Sequence, residues 1–279
     1  MEQRMGMGKR LHGRLAIAIV LSAIAVAVVL GVALRGKDSG ARCGRGFLVR
    51  GARCLAPGEA CPMPLERTPH GCDAPPLRVS VPATSILVGP SDWEAEGRVE
   101  PRSIRAQAFR IDAFEATRGS WDSSRGEFDG DAARAASAMT RDEAAAYCAS
   151  RGGRLPTEEE WTVAAASAAS PVRRYPWGDT GAVCRRAAWG LGKGPCFLDA
   201  DGPDTVGAHP DGDSPLGLHD LAGNVAEWVA AEGAHPDLGV ARGGSWQSAL
   251  ASDLRIWARL ELRPSARDPR VGVRCAYPP

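Results

Sequence analysis

The chain has 279 residues, a formal net charge of +1 and an aromatic content of 6%. Without a basic or acidic excess it does not point to nucleic acid or to an acidic ligand, and its length allows one large domain plus accessories. The 33 glycines and 21 prolines suit a loop-rich globular domain better than a helical bundle or a doubly wound sheet.

The first feature is an uncharged stretch over 15–34, LAIAIVLSAIAVAVVLGVAL. Twenty residues rising about 1.5 Å each cover roughly 30 Å, the depth of one bilayer core. The stretch is read as a transmembrane anchor, with residues 1–14 in the cytoplasm. The competing reading is a cleaved signal peptide, whose apolar core usually runs about 7–15 residues ahead of a small-x-small cleavage site. No such site stands out here. Basic residues flank the span on both sides, from Arg4 to Arg14 before it and from Arg35 to Arg53 after it. Local charge therefore does not favour export of the C-terminal part, but long domains translocate largely regardless of it.

The eight cysteines fall in two sets. Cys43, Cys54, Cys61 and Cys72 lie within 35–77, with no C-x2-C pair and only His70 nearby, so zinc is disfavoured. This segment is expected to be a small two-disulfide stalk, its connectivity open among three pairings. Cys148, Cys184, Cys196 and Cys275 are spread along the rest. The even count points to an oxidising compartment, which puts the C-terminal body outside the cytoplasm, on the periplasmic side.

The body is expected over 78–279. PPLRVSVPATSILVG (75–89) alternates like a strand, and AQAFRIDAFEATRGSW (106–121) reads as a strand running into a turn or helix. GEFDGDAARAASA (126–138) is expected to be a surface loop. Thr140 to Glu143 and Thr157 to Glu160 are two capping boxes, each opening a short helix, the first ending at Gly152 and Gly153. Cys184 and Cys196 could close a surface loop. LDADGPD (198–204) lacks the bidentate glutamate of a calcium loop and is read as a polar turn.

Residues 216–229 read LGLHDLAGNVAEWV. A chain wrapped tightly at Gly223 could offer the Asp220 and Glu227 carboxylates, with backbone carbonyls, to one hard cation such as calcium. The alternative is a helix turn capped by Asn224, with Trp228 in the core. VGVRC near the end alternates like a last strand.

YCASRGGRLPTEEEW, YPWGD, GLHDLAGNVAEW, RGGSW and VGVRCA occur in this order. Together they resemble the sulfatase-modifying-factor family, the formylglycine-generating enzymes and their relatives, over roughly 78–277. The resemblance implies an α+β domain of irregular, C-type-lectin-like fold with little regular secondary structure. It implies a calcium site at Asp220, Gly223, Val225 and Glu227. It also implies a Cys148–Cys275 disulfide, which would close a loop of over a hundred residues and contribute on the order of 4 kcal/mol. A second family disulfide aligns with Ala165 and Ala258, both lost together, which leaves Cys184–Cys196 as a separate local bridge. The family's second calcium site matches poorly and is not assigned.

The family's oxidases carry two cysteines just after RGGS that hold copper(I). The matching positions here are Ser248 and Asp253. Copper(I) selects thiolate or thioether, and a serine cannot form a mixed disulfide with a substrate thiol. The resemblance therefore implies a catalytic pair that is missing, and copper is not expected. A Ser-His-Asp site is not expected either, because His209, His219 and His235 lie in or beside turns with nothing fixing them near Ser248. An iron site of the sulfoxide-synthesising kind would need a histidine cluster that these residues do not carry. Beside a role for the cysteine-rich stalk as a contact site for a neighbouring envelope protein, two functions remain for the body. One is a membrane-anchored, extracytoplasmic binding or scaffold module for a protein, peptide or glycan. The other is an enzyme of altered chemistry centred on Trp246, Ser248 and Asp253, flanked by Arg255 and Arg259.

Overall fold

The computed structural model describes residues 48–50, 53–55, 61–68, 71–91, 93, 95–124, 131–230 and 237–279. The expected anchor at 15–34 lies outside them, as do Cys43, His70 and His235. Among the described residues no helix is long and apolar enough to cross a membrane.

The chain divides into two compact units, Met1–Ala60 and Cys61–Pro279. In the first, β1 (Leu48–Arg50) and β2 (Arg53–Leu55) form an antiparallel hairpin. The second holds everything else described. It starts ahead of the expected boundary at 78, because Cys61 and Leu65 are buried among Phe114, Val206 and Val225. Cys61 bonds Cys72 across the hairpin β3 (Glu66–Thr68) and β4 (Gly71–Asp73), one of the pairings the spacing left open.

The remaining strands are short, as the glycine and proline content requires. The expected first strand splits at Pro82 into β5 (Arg78–Val81) and β6 (Thr84–Val88). A proline supplies no amide to a ladder, so the run breaks where it stands. β6 pairs with β7 (Arg102–Ala106). β5 pairs instead with β8 (Phe109–Asp112), whose other edge takes the C-terminal β13 (Ala276–Tyr277). A four-stranded sheet runs in the order β11 (Arg259–Leu262), β10 (Gly239–Arg242), β9 (Ala226–Trp228) and β12 (Val271–Gly272). VGVRC is therefore not one strand: Arg274 and Cys275 lie between β12 and β13.

Three helices complete the unit: α1 (Arg118–Ser124), α2 (Arg141–Ser150) and α3 (Glu158–Ala165). Both capping boxes form. The Thr140 hydroxyl accepts from the Glu143 amide while Glu143 reaches back to the Thr140 amide, and Thr157 and Glu160 repeat the exchange. Each box satisfies two amides that the first helical turn leaves orphaned. The segment expected to be a surface loop is partly interior: Ala132, Ala133, Ala135 and Ala136 are buried, because Ala136 donates to the Ala116 carbonyl and Ala133 accepts from Val206. Small side chains allow that close approach of backbones.

The core forms where α3 lies on the sheets. Trp161 and Trp228 are wholly buried, and the Trp228 indole donates to the Met139 carbonyl at 2.9 Å. Cys148 of α2 is bonded to Cys275 across 127 positions, and Cys184 to Cys196 across 12.

Candidate functional site

The RGGS segment begins at the end of β10. Gly243 and Gly244 have φ of +101° and +72°, a region that strains most side chains. A Cβ on Gly243 would lie 2.9 Å from the Leu221 carbonyl, and one on Gly244 would lie 2.6 Å from that of Asp253. The two glycines therefore let one turn lie directly against two others. Further bonds fix it there: the Gly223 amide donates to the Gly243 carbonyl and the Trp246 amide to that of Asn224. The Trp246 indole donates to the Pro269 carbonyl at 3.0 Å.

Ser248 and Asp253, the positions where the resemblance expects copper-binding thiols, line one open cleft of about 240 Å³ with Ser245, Gln247, Arg259 and Arg270. Ser248 is half-buried and accepts from the Ser245 amide at 3.0 Å. Asp253 sits in the 3-10 turn Ala251–Leu254, with the Leu250 amide at 3.4 Å from its carboxylate. Arg259 is ion-paired with Glu158 at 2.9 Å, and Arg270 with Asp268 at 2.7 Å. Trp246 and Arg255 are buried and take no part in this lining, contrary to the expected arrangement. Arg270 was not foreseen; its position after a proline near the last strand carries no sequence signal for a cleft residue.

No thiolate is present in the lining, and the six cysteines with described side chains are all in disulfides. The two described histidines of interest are engaged elsewhere. His209 lies 3.2 Å from Asp204 and His219 lies 2.8 Å from Asp213, with its ring stacked on Phe114. Neither serves Ser248.

The 220–227 stretch is a tight loop, not a capped helix turn. Asp220, Gly223 and Asn224 all have positive φ, of +55°, +91° and +51°. Asp220 accepts from the Gly207 amide at 2.5 Å. One Glu227 oxygen accepts twice from the Arg274 guanidinium, at 2.7 and 2.9 Å, and the other accepts from the Trp161 indole at 2.6 Å. Arg274 also donates to the carbonyls of Ala113 and His219 at 2.6 and 2.7 Å. Glu115, which sequence reasoning passed over, accepts from Asn224 at 2.6 Å and from the Val225 amide at 3.0 Å.

Three carboxylates (Glu115, Asp220 and Glu227) thus share a buried region with the Arg274 guanidinium, and His209 and His219 lie near enough to act on Asp220. Burial, then repulsion from Asp220 and Glu227, pushes the Glu115 carboxyl well up, and burial also raises Asp220. An ionised carboxylate without a counter-charge is costly in such a place. Among the described residues no three His, Cys, Asp or Glu side chains converge closely enough to hold a metal by themselves. The set implied by the resemblance is different, with two side chains and the carbonyls of Gly223 and Val225. A carboxylate offers about four acceptor positions, and the three donors on Glu227 leave one. The donor types of that set, carboxylate and carbonyl oxygen, are those a hard dication takes.

Comparison with known proteins bears on family and fold. The model of the sulfatase-modifying factor enzyme 1-like domain matches residues 67–278. A bovine (Bos taurus) protein named inactive C-alpha-formylglycine-generating enzyme 2 is 38% identical over 144 residues, covering 48% of this chain and 47% of its own length. A hercynine oxygenase of Mycolicibacterium thermoresistibile is 34% identical over 250 residues, covering 76% of this chain and 53% of its own. The chain thus spans about half the length of these curated relatives. Among solved structures, PvdO from Pseudomonas aeruginosa superposes with a TM-score of 0.60 at 20% identity, over 72% of this chain and 94% of that one. Treponema denticola variable protein 1 gives 0.59 at 19%, over 72% and 95%. These two likenesses concern fold alone. By the match over 67–278, the chain belongs to the sulfatase-modifying factor enzyme 1-like domain family.

Proposed function

We propose that this chain is a membrane-anchored, extracytoplasmic member of the family, of C-type-lectin-like fold, that acts as a binding or scaffold module. Its ligand is a protein, peptide or glycan held at the Ser248–Asp253 cleft, and nucleic acid is not a partner. The observation that carries the reading is the cleft itself. It is open, and the two positions expected to hold copper(I) are a hydroxyl and a carboxylate. Hard oxygen donors do not replace soft sulfur for copper(I). The name of the bovine relative, an inactive enzyme, agrees with a fold kept without its oxidase chemistry.

Calcium is the proposed structural ion, held by Asp220 and Glu227 with the carbonyls of Gly223 and Val225. What supports it is the surplus of buried carboxylates over Arg274. When bound, the ion supplies positive charge to that surplus. Arg274 orients Glu227, and Asn224 holds Glu115 in place.

The test uses the purified full chain. Elemental analysis is expected to find calcium and no copper, and a Cys-x-Pro-x-Arg peptide is expected to emerge without an aldehyde. Aldehyde formation, or tight copper(I) retention, would overturn the module. A second reading, an enzyme of altered chemistry, is favoured by the accessibility of Ser248, which lines a cleft rather than packed core. A cleft ligand recovered chemically changed by the wild-type chain, and unchanged by Ser248→Ala, would establish that reading instead.

A further inference from the structure

A second cavity lies in the same unit, and Arg259 lines it as well as the Ser248 cleft. It measures about 160 Å³. Its wall is built from the end of β6, the segment leading to β7, the first turns of α3, the end of β10 and the stretch before β11.

Its lining is rich in arginine. Among the described residues Arg98, Arg102, Arg242 and Arg259 line it with the carboxylates Glu100 and Glu158, and Glu261 pairs with Arg259 at 3.5 Å. Glu158 is shared: the Arg242 guanidinium bonds it directly, and Arg259 reaches it at 2.9 Å. Arg242 is buried, and its remaining terminal nitrogen donates to the Ile256 carbonyl. Burial holds the Arg242 guanidinium down to about 10 despite Glu158, and the charges of Arg259 and Arg102 act in the same direction.

Hydrogen-bonding capacity in the wall is also unspent. Ser91 Oγ, Arg242 Nε and the Trp257 indole nitrogen are buried, and none has a partner among the described residues. Buried polar atoms normally have one, so the wall is under-satisfied as well as rich in arginine. A group that carries negative charge suits Arg98 and Arg102, which are exposed in the lining.

We propose that this cavity is an oxyanion site that takes the carboxylate or phosphate group of a ligand among Arg98, Arg102, Arg242 and Arg259. Arginine is suited to this, because its planar fork matches both groups and such charge-assisted bonds are short and strong. The Trp257 ring supplies an apolar wall beside the charged group. The site is separate from the copper positions of the family, which lie in the other cleft, and it does not depend on the module reading.

The test is a titration of the purified full chain with inorganic phosphate, acetate and chloride at matched ionic strength, read by calorimetry and thermal midpoint. Phosphate or acetate is expected to bind and to raise the midpoint beyond the effect of chloride. The stronger of the two identifies the group as phosphoryl or carboxyl. Arg98 and Arg102 are exposed, so Arg98→Gln and Arg102→Gln can be made without disturbing the core. Each is expected to weaken binding about tenfold, the size of one charge-assisted bond. Arg185→Gln, which removes a surface pair with Asp211 elsewhere, is expected to leave binding unchanged. Equal responses to all three anions, or undiminished binding in the Arg98→Gln/Arg102→Gln double variant, would overturn the proposal.

Discussion

The loop over 220–227 and the rim over 247–253 are neighbours on either side of the RGGS turn, yet they are built differently. In the loop nearly every polar side chain is buried and committed: Asp220 to Gly207, Asn224 to Glu115, Glu227 to Arg274 and Trp161. In the rim Gln247, Ala249 and Leu250 are exposed, and Ser248 and Asp253 each accept from an amide three residues away. The loop is tied into the interior of the domain, whereas the rim faces the cleft. Chemistry can be lost from the rim while the scaffold stays.

Substitutions graded by effect test this contrast. The largest loss is expected for Arg274→Met, which leaves Glu227 buried without its cation beside Glu115 and Asp220. Removing one partner of a buried pair costs about 3–5 kcal/mol, measurable as a shift of the urea midpoint. Replacing Cys148 and Cys275 together by serine opens a loop of 127 positions and should cost about 4 kcal/mol. Were the Arg274 variant as stable as the wild type, this contrast would fail.

A middle-sized effect is expected at α3. Thr157→Ala removes the capping hydroxyl and should cost about 1 kcal/mol. The adjacent Glu160 adds a pH dependence. Burial raises its carboxyl, but the Arg154 pair and the Thr157 amide more than offset this and hold it below the ordinary range. Its contribution is therefore complete above the unfolded-state value and is lost as pH falls through the folded one. Acid unfolding curves of Glu160→Gln should be flatter through that window than those of the wild type.

The smallest stability effect belongs to the rim. Ser248→Ala and Asp253→Asn are each expected to change the unfolding free energy by no more than about 0.5 kcal/mol. Both should still weaken whatever occupies the cleft. A loss of several kcal/mol at either position would erase the distinction between the two regions.

What could be read from the sequence follows the same division. The capping boxes at Thr140 and Thr157 were legible because their bonds span three residues. The tight wrap at Gly223 was legible for a similar reason. Glu115 was not, because its partners Asn224 and Val225 lie 109 and 110 positions away. Arg274 hid inside an alternating run that resembled a strand. The burial of Ala132–Ala136 was missed because the composition of that segment is that of a loop, while its backbone bonds to Ala116 and Val206 are long-range. Ser248, Asp253 and Arg259 could be placed around one cleft, but Arg270 joins them only because a turn distant in sequence meets theirs.

The close approach of Gly244 to the Asp253 carbonyl has an evolutionary consequence. The contact is made by main chain on both sides, so it specifies where residue 253 stands without regard to its side chain. Such a socket can exchange its contents at little cost in stability. Sulfur donors at 248 and 253 can give way to oxygen donors within the same main-chain frame, as long as Gly243 and Gly244 keep their turn.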